Sequence, residues 1–186
     1  MNMINKLKNN AGTSFVEMLA TVALLGIMGV ALVVGVSTIH KTHSQIVRKA
    51  NEQTLLSTTL IEMRNEIRKS VDFKDEGTEI RFKSKDGYWF SFVNPTGEEN
   101  GIQIQYYYMN ESGTLEQLPN TKKPVVSKSN GLISGLFSNF GSITKYNSVP
   151  GAFVIDGLTV KNGTDTPVVL ETYIVKQVVK QIGGSE

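Results

Sequence analysis

Three groups of ionisable side chains in this sequence have types and spacings that could support chemistry. Glu17 is a lone carboxylate at the start of a long apolar run, His40 and His43 are three residues apart, and the segment 72–77 carries three carboxylates. The histidines could share a metal ion, but the sequence places no third ligand nearby. The acidic segment could hold calcium, although a turn that ends a helix is the simpler interpretation. The sequence therefore predicts no metal and no cofactor.

Other patterns for catalysis or ligand binding are missing from the sequence. It contains no cysteine, no phosphate-binding P-loop, no dinucleotide-binding glycine motif and no His-Glu-x-x-His zinc motif. Tyr106, Tyr107 and Tyr108 could stack on a base or a sugar together with Trp89. Alternate residues of a strand point to the same face, however, which favours core packing for these rings. We therefore predict no enzymatic activity, no catalytic residues, and no clear nucleic-acid or small-molecule ligand.

The element that positions Glu17 is an apolar run long enough to cross a bilayer. Residues 18–36 are 19 consecutive uncharged positions, and Phe15 and Val16 extend the run upstream. A helix needs about 20 such residues to cross a bilayer core. A cleaved secretory signal has a shorter apolar region and a small-x-small cleavage site, and a plain signal anchor leaves Glu17 unexplained. We therefore expect a membrane-spanning helix, and basic residues on both sides leave its orientation open.

Beyond residue 36 the same helix continues with an amphipathic pattern. Eight apolar residues recur mostly at steps of three, four and seven among polar side chains: Ile39, Ile46, Ala50, Leu56, Leu60, Met63, Ile67 and Val71. Neither glycine nor proline interrupts residues 37–71. We therefore predict one helix from Thr13 to about Val71, roughly 87 Å long at 1.5 Å per residue.

The rest of the chain changes to the two-residue period that is typical of β-strands. A meander of four strands is predicted at residues 79–82, 88–93, 102–109 and 114–118, with short turns between them. A loop follows from about 119 to 150, in which residues 132–140 fit either a short helix or an irregular strand. A hairpin from 153–160 and 168–179 closes the domain. The predicted fold class is α+β, with a long N-terminal helix packed on a C-terminal antiparallel sheet.

The first forty residues resemble the N-terminal signal of type IV prepilins and pseudopilins. The resemblance rests on Lys8-Asn9-Asn10-Ala11-Gly12, on Thr13-Ser14-Phe15-Val16-Glu17-Met18-Leu19 and on Leu24-Leu25-Gly26-Ile27-Met28-Gly29. In this family a peptidase cuts after the glycine, and a glutamate is the fifth residue of the new chain. Gly12 and Glu17 have that spacing. Thr13 stands where the family usually has phenylalanine or methionine, and the membrane segment lacks the proline that many pilins carry.

The resemblance implies a processing step and an assembly role. It implies that prepilin peptidase removes the leader, residues 1–12, and that the new amine on Thr13 is N-methylated. In the family, the glutamate of an incoming subunit pairs with the terminal amine of a subunit already in the filament. This makes Gly12 and Thr13 the predicted processing residues, and Glu17 and Thr13 the predicted assembly residues. The implied partners are other pilin subunits, prepilin peptidase, the membrane and the pilus assembly machinery.

The resemblance also implies an organisation and a location. After the leader, residues 13–36 form the transmembrane and filament-core helix, 37–71 its amphipathic continuation, and 72–186 a globular β-sheet head. The precursor crosses the cytoplasmic membrane once, and the mature chain lies in an extracellular filament. The intact chain has 19 basic and 17 acidic side chains, and removal of Lys6 and Lys8 with the leader leaves 17 of each. Such a neutral chain has no broad basic surface for nucleic acid.

The predicted function is that of a structural subunit of a type IV pilus or of a related secretion or competence pseudopilus. A long helix followed by a meander is similar to minor pilins of the W type and pseudopilins of the J type. Tip pseudopilins of the K type generally lack the glutamate, so Glu17 argues against that role, while a major pilin stays open. The alternative is a membrane-anchored surface adhesin or receptor domain that does not polymerise. The N-terminus of the mature protein distinguishes the two.

Overall fold

The computed structural model describes residues 4–94, 101–126, 136–162 and 168–177. Side chains are described within these ranges except for those of residues 4–14, 161, 162 and 171. The chain forms two units, residues 1–48 and 49–186. A single helix, α1 (Ile4–Lys69), makes up the first unit and continues into the second.

Ten strands follow α1 in the part of the chain that the structure describes. In chain order they are β1 (Ser70–Asp75), β2 (Ile80–Ser84), β3 (Trp89–Val93), β4 (Gln103–Met109), β5 (Leu115–Gln117), β6 (Lys123–Pro124), β7 (Leu136–Asn139), β8 (Ser142–Lys145), β9 (Ala152–Asn162) and β10 (Val168–Lys176). The first sheet has the order β1-β2-β3-β4-β5, with β6 also paired to β4. The second has the order β10-β9-β7, with β8 also paired to β9. Every pairing is antiparallel.

The last turns of α1 pack on these sheets through one apolar face. Met63 and Ile67, four residues apart and therefore one above the other on the helix, are fully buried. Leu56 and Leu60 continue this face toward the N-terminus and are partly buried against the same core. The amphipathic pattern thus has a physical cause, because its apolar side chains are the ones that the sheets cover. The predicted α+β fold, a long helix packed on antiparallel sheet, is confirmed.

Phenylalanine rings join the helix to both sheets. Phe82 of β2 has no exposed surface, and its ring centroid lies 4.9 Å from that of Phe153 on β9. The Phe153 ring also meets Phe73 of β1 edge to face, at 5.0 Å. Edge-to-face contacts of this kind stabilise by about 0.5–1.5 kcal/mol beyond the area that they bury. The two sheets therefore share one core instead of forming separate layers.

Strand β9 changes the face that it buries halfway along its length. Phe153 and Ile155 are buried in its first half, whereas Leu158 and Val160 are buried in its second half, so the alternation shifts by one residue. Gly157 lies at the shift with φ +63°, a left-handed conformation that glycine adopts without steric cost. A Cβ at this position would lie only 3.3 Å from the backbone nitrogen of Gly141, next to β8. Glycine is therefore required both for the backbone angle and for this close approach.

The structure differs from the sequence prediction at the end of the helix. The helix ends at Lys69, before the predicted Val71, and Ser70 already belongs to β1. The buried hydroxyl of Ser70 donates to the carbonyl of Ile67 at 2.6 Å, which satisfies one of the free carbonyls of the helix end. The segment 72–77, predicted as a turn, is a strand as far as Asp75. Its alternating charged residues misled the prediction, although exposed charges are usual on an edge strand.

The predicted meander and closing hairpin are confirmed with shifted bounds, while the long loop was wrong in part. Strands β2 to β5 coincide with the four predicted strands to within two residues at each end. The segment predicted as a loop from 119 to 150 contains β6, β7 and β8. Residues 136–139 of the ambiguous segment are strand β7, and residues 132–135 lie outside the described residues. These strands are only two to four residues long, so they carry too little periodicity to be recognised.

Two isoleucines on α1 provide a matched test of the packing face. Ile67 has no exposed surface, whereas Ile61 is 50% exposed. We expect Ile67→Ala to lower the free energy of unfolding by about 2–5 kcal/mol, because it leaves a cavity in the core. Ile61→Ala should change it by less than about 0.5 kcal/mol. Urea unfolding of the detergent-solubilised chain, followed by the fluorescence of its single tryptophan, Trp89, measures both, and equal losses would contradict the packing described.

Candidate functional site

The N-terminal half of α1 presents apolar side chains to its surroundings on every side. The large apolar residues from Phe15 to Val36 are all between 52% and 71% exposed. Among the residues that the structure describes, α1 is the one helix long and apolar enough to cross a membrane, and none of its most apolar window is buried. Burial of one Val, Leu or Ile side chain stabilises by about 1.5–3 kcal/mol. A run of such side chains is therefore stable only when lipid or other apolar helices cover it.

The hydroxyl side chains in this segment are satisfied within the helix itself. Thr21 Oγ1 donates to the carbonyl of Glu17 at 2.7 Å, and Thr38 Oγ1 donates to the carbonyl of Val34 at 2.9 Å. Ser37 donates in the same way to Val33 at 3.0 Å. A polar group can lie in a hydrocarbon environment only if its hydrogen bonds are made within the protein, because no water is present there. These hydroxyls meet that condition. The hydroxyls are therefore compatible with a membrane-spanning position.

Glu17 is the exception in this segment. Its side chain is exposed, and within the part of the chain that the structure describes its carboxylate forms no hydrogen bond or ion pair. A charged side chain within a membrane helix costs about 2.5–3.5 kcal/mol at the centre and less near an end. Glu17 therefore needs a partner beyond the described side chains, which can be water and lipid headgroups or a cation.

The predicted processing residues lie in the same helix. Gly12 and Thr13 have helical backbone within α1, four or more residues before Glu17. The side chain of Thr13 lies outside the described side chains, so its contacts with Glu17 are not described. Cleavage after Gly12 and pairing of the released amine both stay predictions.

Three glycines interrupt the apolar surface of the segment. The helix runs through Gly26, Gly29 and Gly35 without a break. A Cβ at any of them would meet no atom within 4 Å, so each leaves a shallow gap on the helix surface. Small residues of this kind let two helices approach closely in membranes.

The carboxylates of the acidic segment at β1 contact cations and backbone N–H groups of the same chain. Glu76 lies 3.0 Å from Lys74 and 3.7 Å from Arg81. The hydrogen bond from Lys74, supported by the charge of Arg81, lowers the pKa of Glu76. Asp75 accepts a hydrogen bond from the backbone of Gly77 at 2.9 Å. His40 and His43 likewise belong to no group of three or more metal-ligating side chains among the described residues.

A second cluster of ionisable groups lies on the face of the first sheet that points away from the helix. Glu79 Oε1 accepts from Arg81 Nε at 2.8 Å and from the hydroxyl of Tyr107 at 2.9 Å. Ser91 in turn bonds to the hydroxyl of Tyr107 at 3.0 Å. Because the cation and the tyrosine already engage this carboxylate, Glu79 is poorly suited to act as a general base. The cluster has the character of a structural network.

This network covers a small apolar cluster on the outer face of the sheet. Trp89, Tyr107 and Leu115 are each 6% exposed and pack together. The guanidinium carbon of Arg81 lies 4.3 Å from the centre of the Tyr107 ring, and Lys83 Nζ lies 5.7 Å from the centre of the Trp89 ring. Such cation–π contacts stabilise by about 0.5–1 kcal/mol at exposed sites. The sequence analysis missed this network, because only the sheet register brings its members together.

The three consecutive tyrosines have three different environments. Tyr107 is buried in the outer cluster, and Tyr106 packs against the main core on the opposite face. Tyr108 is 44% exposed, and its hydroxyl donates to Glu116 on β5. The predicted core packing is therefore confirmed for Tyr106 and Tyr107, whereas Tyr108 lies on the surface.

No protein-family model, no curated protein and no solved structure matches this chain.

The titration of Tyr107 tests the outer network. Burial raises the pKa of Tyr107, and the hydrogen bond to Glu79 adds to the rise, while the bond from Ser91 opposes it. Because the pKa of Tyr107 is higher in the folded than in the unfolded state, its protonated form stabilises the fold. This contribution to the free energy of unfolding is fully present below the ordinary tyrosine pKa of about 10 and is lost as the pH rises through the folded-state pKa. We expect Glu79→Gln to move this titration to lower pH, and Glu111→Gln, an exposed carboxylate elsewhere, to leave it unchanged. The tyrosinate absorbance of each protein minus that of its Tyr107→Phe derivative measures the shift. The same titration midpoint in the natural chain and in both variants would contradict the network.

Proposed function

We propose that this chain is a structural subunit, of the minor pilin kind, of a type IV pilus or a related pseudopilus. The observation that carries the proposal is the exposed apolar half of α1, at whose start the Glu17 carboxylate forms no hydrogen bond or ion pair within the described part of the chain. The same helix continues into a face that packs on a sheet domain. One helix can thus lie in a membrane or in a bundle of identical helices while its other end carries a folded head.

Processing after Gly12 gives Glu17 the partner that its position requires. The new α-amine on Thr13 has a reference pKa of about 7.7–8.0 and is largely cationic at neutral pH. It becomes the start of the helix, one turn before Glu17 and on the same helical face. In an apolar surrounding, an amine of a neighbouring subunit would offset the cost of the buried carboxylate. Assembly and charge compensation are therefore one event in this proposal.

Gly26, Gly29 and Gly35 fit the same role. A subunit that packs its membrane helix against others gains from close contact, since lipid and apolar side chains are equally hydrophobic. The gaps at these glycines allow such contact. The precursor would lie in the cytoplasmic membrane and the mature subunit in an extracellular filament.

The alternative is a membrane-anchored adhesin or receptor domain that does not polymerise. It uses the same apolar helix as a permanent anchor, and Glu17 then lies at the interface, solvated by water and headgroups. The two functions differ in whether residues 1–12 are removed, because a permanent anchor does not require their cleavage.

The mass of the mature chain separates the two functions. We expect the protein from sheared extracellular filaments to begin at Thr13 and to carry N-methylation there. Mass spectrometry of the N-terminal peptide measures both features. A chain that keeps Met1 and stays in the membrane fraction would exclude the pilin-like role and favour the anchored domain.

Substitution of Glu17 tests the assembly role directly. We expect Glu17→Ala and Glu17→Gln to leave membrane insertion intact and to lower incorporation into filaments by about tenfold or more, the effect of losing one charged contact of about 1.5–3 kcal/mol. Immunoblots of sheared and membrane fractions measure this ratio. Glu111→Ala removes an exposed carboxylate from the head and should assemble normally. Full incorporation of both Glu17 variants would reject the role.

A further inference from the structure

A narrow groove runs between the end of α1 and the outer edge of β10. It has a volume of about 270 Å³ and is lined by Arg64 and Arg68 on the helix and by five consecutive residues, 173–177, on the strand side. A groove lined by consecutive strand residues follows the strand edge. Its shape therefore suits an extended chain.

The groove contains a half-buried arginine, Arg64, with one donor atom that lacks an acceptor among the described residues. The Nε atom of Arg64 is buried and has no hydrogen-bond partner among the described residues, and its Nη1 atom makes only a long bond of 3.4 Å to the hydroxyl of Tyr173. A guanidinium stays charged at any physiological pH. An unsatisfied buried donor costs about 1–3 kcal/mol, and more when it is charged. A ligand that supplies an acceptor here would remove that cost.

The charge of the groove defines the chemistry of this ligand. Arg64 and Arg68 lie one turn apart on the helix side of the groove. No carboxylate is among the described side chains that line the groove. Arginine forks bind carboxylates through two parallel hydrogen bonds. The favoured ligand group is therefore a carboxylate.

The backbone of β10 offers a second set of contacts along the same groove. Gln177 donates its backbone N–H to Gly151 at 2.9 Å, and the register pairs Val175 with Phe153. In an antiparallel pair alternate residues bond to the partner strand, so Ile174 and Lys176 direct their N–H and C=O groups away from β9. No described strand pairs with that side of β10. An unpaired edge of this kind accepts an added strand.

An apolar contact completes the surface. Ile174 lines the groove and is 50% exposed. An extended peptide alternates its side chains, so an acidic residue can face the arginines while its neighbour covers Ile174.

We propose that this groove binds an extended, acidic peptide segment of a partner polypeptide, which adds to the edge of β10 as a further strand. Carboxylates of the peptide accept hydrogen bonds from Arg64 and Arg68, and its backbone pairs with Ile174 and Lys176. Backbone bonds supply affinity in this mode, and side-chain pockets supply specificity. The proposal concerns the head and holds whether or not the chain enters a filament.

Binding of a synthetic peptide to the full chain in detergent micelles tests the proposal. The probe is a short fluorescein-labelled peptide that alternates valine with glutamate, and its matched control replaces every glutamate with glutamine. We expect the glutamate peptide to bind about tenfold more tightly or better, the effect of one charged hydrogen bond, and to weaken with added salt. Fluorescence anisotropy measures both affinities, and equal affinity of the two peptides would overturn the proposal.

Three variants test the individual contacts. Arg64→Gln and the exposed Arg68→Gln should each weaken binding by about tenfold, whereas Lys85→Gln, an exposed turn cation far along the chain, should not. Ile174→Pro removes an outward N–H from an edge strand, where proline is tolerated, and should abolish binding. Urea unfolding checks that each variant is folded. Unchanged binding in both arginine variants, or in folded Ile174→Pro, would reject the site.

Two other occupants give distinct results, and each overturns the proposal. Binding of millimolar inorganic phosphate that Arg64→Gln abolishes, in a chain that binds the glutamate and glutamine peptides equally, would assign the groove to small anions. Self-association of the chain that Arg64→Gln abolishes, without any peptide binding, would assign it to a second copy. Sedimentation velocity measures the self-association.

Discussion

The apolar face at the end of α1 must be covered, and the head domain is built around this constraint. Met63 and Ile67 are fully buried, and they share one core with Phe82 of the first sheet and Phe153 of the second. Neither sheet supplies this core alone, since β1 to β4 contribute one wall and β9 and β10 another. Removal of the helix would expose both inner faces at once, so the helix is a structural part of the head as well as the route to the membrane segment.

The same helix meets two opposite requirements along its length. Between Phe15 and Val36 it carries apolar side chains on all sides, as lipid or a helix bundle requires. After Lys41 charged residues return, and from Leu55 onward one apolar stripe is left for the sheets. Because a helix satisfies its own backbone hydrogen bonds, it can pass between these environments without a change in conformation. Between Phe15 and Val36, the carboxylate of Glu17 is a charged group that forms no hydrogen bond or ion pair with the described side chains.

The sequence predicted those parts of the fold that carry strong periodicity. Residues 18–36 and the apolar stripe up to Ile67 predicted the helix, and long alternating strands such as β4 were recognised. Strand β1 was missed because its outward charges resemble a turn, and β6 to β8 were missed because they are too short to show a period. The sequence predicts an assembly role for Glu17 from the cost of its charge and from its spacing to Gly12, and this role stays a prediction. The groove beside β10 could not be predicted, because the burial of Arg64 Nε depends on residues more than a hundred positions away in the chain.

One buried contact fixes the order in which the head can form. The side chain of Gln177 donates to the hydroxyl of Ser70 at 2.6 Å, across 107 residues of chain. At about 5–20 residues per second of synthesis, the end of the helix waits about 5–20 s for this partner. During that interval the apolar half of α1 leaves the ribosome, while the face around Ile67 lacks the second sheet, which supplies the other wall of its core. The nascent chain therefore exposes two apolar surfaces in succession. Lipid can cover only the first, so a chaperone would be needed at the second.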